Sequence, residues 1–127
     1  MKPQTNTYAG IPKKYANPKH AKVTLTSIPY DGTSTWGKGA DKGYDAFLIA
    51  SENMELYDIE TNSEPYKQGV VLEKPLAVKK LTPEAMVKKV YKKTQELLAT
   101  NKFLTFFGGE HSISIGILRA YAEKYNN

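Results

Sequence analysis

The sequence contains no cysteine, and that single absence removes disulfide frameworks, thiolate zinc sites, cysteine nucleophiles and iron–sulfur clusters together. Any metal must be held by His, Asp or Glu, and histidine is itself scarce, with only His20 and His111 present. Arginine is nearly missing as well. All but Arg119 of the 18 basic residues are lysines, whereas phosphate and base-edge recognition favours the planar guanidinium. The lysines gather in residues 2–22, ahead of the first acid, and along residues 79–93. The net charge of +5 therefore reads as a basic arm plus a solvated helix face, and no nucleic-acid partner is expected. No run approaches the ~20 consecutive apolar residues of a membrane span, and Met1 to Gly10 lack the apolar stretch that a signal peptide needs. The expectation is a cytoplasmic protein with no membrane partner.

What is present suits one globular domain. The 127 residues are 40% hydrophobic and 24% charged, enough to bury a core and too apolar for disorder. Residues 1–20 are rich in Pro, Asn and Lys without periodicity, and read as an arm or extended cover strand. Lys22 to Ile28 alternates and is β-branched, predicting a strand that Pro29, Asp31 and Gly32 end. A glycine-rich segment follows, and residues 45–54 have helical composition. Leu56 to Ile59 and Val70 to Leu72 read as short strands around a polar loop. Thr82-Pro83-Glu84 is a helix start, with a capping hydroxyl, proline at the first position and an acid at the positive end of the dipole. Met86, Val87, Val90, Tyr91, Leu97 and Leu98 then recur at helical steps. Phe103 to Phe107 is a strand-length apolar run, as expected when both faces of a parallel strand are covered. Ile113 to Tyr125 resumes helical spacing, with Ile113, Ile117, Ala120 and Tyr121 on one side and Arg119, Glu123 and Lys124 on the other. This order predicts a parallel α/β sheet. The sheet is expected to continue beyond Asn127, which follows the last helix with no further strand.

Two segments carry candidate chemistry. Gly32 to Lys38 matches G-x-x-x-x-G-K between a strand and a helix, where a phosphate-cradling loop belongs. The next residue is Gly39, where magnesium binding needs Ser or Thr, and residues 39–44 separate the lysine from the helix. No nucleotide site is expected there. The second segment, Gly108-Gly109-Glu110-His111-Ser112, lies where the apolar strand gives way to the last helix. In parallel sheets ligands bind beyond the carboxyl ends of the strands, so the turn predicts His111 at the end of a central strand with its ring facing that crevice. The glycines allow close backbone approach, the imidazole offers a neutral nitrogen ligand and Ser112 can cap the helix. The plainer alternative is a strand-to-helix turn whose histidine is merely hydrogen-bonded in a partly buried position.

Phe106-Phe107-Gly108-Gly109-Glu110-His111-Ser112 resembles the first metal motif of the ureohydrolase superfamily, the arginase and agmatinase family, usually G-G-D-H-S after a buried strand. Ile28-Pro29-Tyr30-Asp31-Gly32-Thr33-Ser34, followed by Gly37, Gly39-Ala40 and Gly43, resembles the agmatinase loop of a G-T-S segment and a Gly-Ala pair before a helix. The departures are Glu110 for the usual Asp, Lys38 where relatives carry Arg-Pro, and Tyr44-Asp45 in place of a proline. The resemblance implies the three-layer αβα fold with a mainly parallel sheet, residues 1–21 being an arm and 22–127 the N-terminal part of the ureohydrolase domain, truncated after the first metal-motif strand and helix. It implies His111 as a ligand of one ion in a two-manganese, Mn(2+), centre, a small-molecule guanidino substrate, hydrolysis of agmatine to putrescine and urea in the full-length enzyme, and a homo-oligomer, trimer or hexamer. The remaining ligands would come from D-x-H-x-D and D-x-D motifs, which this sequence lacks, so the chain alone is expected to be inactive. Arginase, guanidinobutyrase and formimidoylglutamase activities, or a non-catalytic subunit keeping the fold, are the alternatives.

Overall fold

The computed structural model describes residues 6–126. Three strands, β1 (Val23–Ile28), β2 (Val70–Leu72) and β3 (Phe103–Gly108), form a parallel sheet in the order β2-β1-β3. Helix α1 (Gly43–Ser51) follows β1, α2 (Pro83–Leu98) joins β2 to β3, and α3 (Ile113–Tyr125) follows β3. None of the described helices is long and apolar enough to cross a membrane.

Alternation along β1 divides the core into two layers. Ile28 points with Tyr30, Val78, Met86, Val90 and Ile113 into the layer beneath α2 and α3, where Phe106 joins them. Leu25 points the other way, into a layer with Ala9, Ile11 and Val70 that Phe47 and Phe107 complete. On that side α1 covers β3, with Phe47 stacked on Phe107 at 4.2 Å between ring centroids. Helices on one face and α1 with the arm on the other make the three-layer αβα arrangement.

The α2 periodicity places Met86, Val90, Thr94, Leu97 and Leu98 inside, and Thr82 caps the helix by accepting from the Ala85 N–H. Thr94 escapes a hydropathy pattern because its hydroxyl is polar; it is buried by donating to the Val90 carbonyl at 2.9 Å. Gly116 sets the spacing of α2 and α3: a Cβ there would lie 2.7 Å from the Val87 carbonyl oxygen and 2.9 Å from the Tyr91 nitrogen.

Several expectations need correction. Residues 56–59 form no strand; a single antiparallel bridge joins Asp58 to Ser63, because the Asp58 side chain accepts from the Glu60 and Thr61 N–H groups and folds the chain into a turn. The arm is not extended. It makes short 3-10 turns at Tyr8–Gly10 and Lys13–Ala16 and buries Ala9 and Ile11 in the core; residues 1–5 lie outside the described residues. Among the described residues β3 takes an edge position where a central one was expected. It pairs only with β1 among the described residues, and Phe103 is exposed.

Candidate functional site

The sheet's connections fix where a ligand can sit. From β1 the chain crosses to β2 on one side and then to β3 on the other, so the crevice opens between the carboxyl ends of β1 and β3. Those ends carry Tyr30 to Gly39 and Gly108 to Ser112.

Backbone bonds dock the two segments past the last paired strand residues. Gly109 N–H donates to the Ile28 carbonyl at 3.1 Å and Glu110 N–H to the Tyr30 carbonyl at 3.0 Å. A Cβ on residue 109 would fall 1.8 Å from the Tyr30 carbonyl oxygen, so only glycine permits this approach.

Glu110 is the hub of the site. Its Oε1 accepts from Thr33 Oγ1 at 2.7 Å and from the Ser112 hydroxyl, and its Oε2 accepts from Ser112 N–H at 2.9 Å. Partial burial opposes its ionisation, but the donations from Ser112 and Thr33 and the neighbouring His111 outweigh it and hold the carboxyl below the usual range. Ser112 therefore does not cap α3 with its side chain, as expected from sequence; its hydroxyl serves Glu110, and the Glu110 carboxylate takes its N–H.

His111 stands at the carboxyl end of β3 and is exposed, with no hydrogen bond to its ring among the described residues. The buried, hydrogen-bonded alternative is thus not the arrangement found. Among the described residues the strand lies at an edge of the sheet, and its turn is docked on the segment that follows β1. His20 precedes β1 and is exposed; in a parallel sheet it sits at the opposite end from His111, about 20 Å away along six residues of strand. No group of three or more His, Asp or Glu that could hold a metal occurs among the described residues.

The glycine-rich loop closes on itself. Asp31 Oδ2 accepts from Gly39 N–H at 2.6 Å, and Lys38 Nζ donates to the Asp31 carbonyl at 2.7 Å and to Ser34 Oγ at 2.9 Å. The Gly39 N–H, then the Ser34 hydroxyl, hold the Asp31 carboxyl below its usual range, helped by Lys38 and Ala40 against the cost of desolvation. Lys38 is thereby engaged with its own loop; after Gly39 a short 3-10 turn, Ala40–Lys42, runs into α1 at Gly43, and the lysine is turned onto loop oxygens instead of standing free for a phosphate. Behind the loop, Tyr44 is buried against Phe107 with its hydroxyl unbonded, and burial pushes that hydroxyl up to about 12. The tightly linked pair Thr33–Glu110 escaped sequence reasoning; the two matching motifs were its only trace. The arrangement is a rim, not an enclosed pocket. A cavity of about 460 Å³ lined by Tyr8, Leu56, Tyr57, Tyr66 and Val70 lies at the start of β2, away from His111.

Fold and turn together define a parallel α/β protein that presents a histidine and a tethered carboxylate at the ligand-binding end of its sheet. The chain belongs to the arginase family, whose sequence model matches residues 21–127. It is 35% identical over 105 residues to the N(1)-aminopropylagmatine ureohydrolase of a Synechocystis species, covering 79% of this chain and 34% of that protein. Its identity to an enzyme of the same name from Thermus thermophilus is 26% over 111 residues, covering 87% and 38%. Among solved structures, the agmatine ureohydrolase of Thermoplasma volcanium superposes with a TM-score of 0.75 at 25% identity, covering 84% of this chain and 36% of the other. The proclavaminate amidino hydrolase of Streptomyces clavuligerus shares the fold with a TM-score of 0.80 at 22% identity, covering 95% and 40%. The chain thus spans little more than a third of the length of the curated relatives it matches.

Proposed function

We propose that this chain supplies one manganese ligand, His111, and its supporting clamp to a two-manganese centre that hydrolyses the guanidino group of agmatine, or of an agmatine carrying an extended tail, to urea and an amine. The observation carrying this reading is the Thr33–Glu110 hydrogen bond of 2.7 Å, which joins the two motif segments beside His111 at the mouth of the β1–β3 crevice.

The residues fit one part of such a centre. An exposed imidazole with a free ring is a competent manganese ligand. Glu110 is given the supporting role, because its carboxylate is turned onto Thr33 and Ser112; it orients the turn on which His111 rides. The remaining ligands lie outside the described residues. When bound, such a centre supplies a water acidic enough to act as a nucleophile near neutral pH, which a delocalised guanidinium requires. The chain's own contribution is positional: Gly109 brings the turn against Tyr30, Glu110 ties it to the loop, and two carboxylates held ionised favour a cationic substrate.

Urea release from agmatine with added manganese tests the reading. The full-length polypeptide should be active, the 127-residue chain inactive, and His111→Ala should lower activity by more than about 100-fold, beyond the loss usual for residues that merely support a ligand. Robust activity from the chain alone, or an unimpaired variant, would overturn it.

A further inference from the structure

Trp36 has no place in the core or in the clamp just described. It is fully exposed, at 102% of its reference area, although tryptophan is usually among the well-buried residues. Exposure alone would be unremarkable on a slack loop, but this loop is closed on both sides of it: Lys38 donates to Ser34 Oγ and the Asp31 carbonyl, and Gly39 donates to Asp31 Oδ2. Trp36 is the apex of the closed segment. Its neighbour Gly37 has nothing within 4 Å of where a Cβ would stand, so the space beside the indole is open. The loop is tethered to the site through Thr33 and Glu110, and three residues of chain keep the Trp36 Cα within about 11 Å of the Thr33 Cα. The only cation in the loop, Lys38, is turned onto its own oxygens rather than towards the indole.

We propose that Trp36 is a specificity-determining residue whose indole covers the aliphatic, cationic tail of a guanidino substrate while the guanidino end lies at His111. This rests on the reaction proposed above. An indole face attracts an alkylammonium or guanidinium and packs against methylenes, and a closed loop offers it in place, with little ordering left to do on binding. A substrate with a longer cationic tail gains more from it than a shorter one.

The test compares KM for agmatine and for N(1)-aminopropylagmatine in the full-length polypeptide. Trp36→Ala should raise KM for the longer substrate about three- to tenfold relative to agmatine, moving kcat less, and Trp36→Phe should restore most of the preference. The emission of the metal-free full-length polypeptide, taken as its difference from Trp36→Phe, gives a reading without turnover: saturable change with either cation and none with neutral butylurea is expected. Urea release with an unmoved KM ratio overturns the role of Trp36 and leaves the reaction standing. No urea release with the emission response intact overturns the reaction and leaves Trp36 as a cation-binding residue. Emission that follows protein concentration instead of ligand makes Trp36 a contact between copies and overturns the proposal.

Discussion

Thr33 and Glu110 lie 77 positions apart in sequence, yet one hydroxyl-to-carboxylate bond between them unites the loop after β1 with the turn after β3. At the residue scale this is where the sequence was least legible. His111 stood out because a histidine after paired glycines at a strand end has a chemical use. Its support did not stand out, because a contact between a threonine and a distant glutamate leaves no periodic mark in either segment. Ser112 misled for a related reason: a serine before a helix reads as a cap, but its hydroxyl donates to the Glu110 carboxylate, and the Ser114 and Ile115 N–H groups go to the His111 and Ser112 carbonyls instead. Asp31 gives the residue scale its prediction. Its carboxyl is held below the usual range chiefly by the Gly39 N–H, so its contribution to loop closure is complete above the ordinary carboxylate pKa of about 3.9. It is lost only as pH falls through the lowered value. Trp36 emission should therefore show a transition below about pH 4 that Asp31→Asn abolishes; a transition near pH ~5 or above would contradict the hydrogen-bonded closure.

At the scale of elements, α2 was read almost to the residue, since its cap, proline and apolar repeat agree. The turn at residues 56–63 was not, because Leu56 to Ile59 has strand composition while Asp58 side-chain bonds decide its shape. Gly116 was also silent. Within a helix glycine reads as a propensity loss of about 1 kcal/mol, and nothing in α3 reveals that the α2 backbone lies against it. Gly116→Ala separates these effects. Propensity alone predicts stabilisation, whereas a Cβ 2.7 Å from the Val87 oxygen has only helix displacement as relief, since its obstacle is backbone. Chemical denaturation followed by circular dichroism should show a net loss of about 1–3 kcal/mol, and a more stable variant would mean that the helices are spaced more loosely.

At the scale of the whole molecule, the alternation of helix and strand disclosed a parallel sheet with helices on both faces, and the structure has it. The strand order was not disclosed. An apolar run such as Phe103 to Phe107 records that side chains are covered, and is silent on which strands flank it. Among the described residues β1 is central and β3 an edge, and the turn after the carboxyl end of β3 carries His111 with a bare ring. In the proposed function this ring binds manganese with Glu110 as its support. The most direct measurement is a crystal structure of the full-length polypeptide loaded with manganese, with anomalous scattering recorded at the manganese edge. A peak within coordination distance of a His111 ring nitrogen is expected, with Glu110 still bonded to Thr33 and Ser112; a manganese centre that leaves His111 uncoordinated would rule out its role as a ligand.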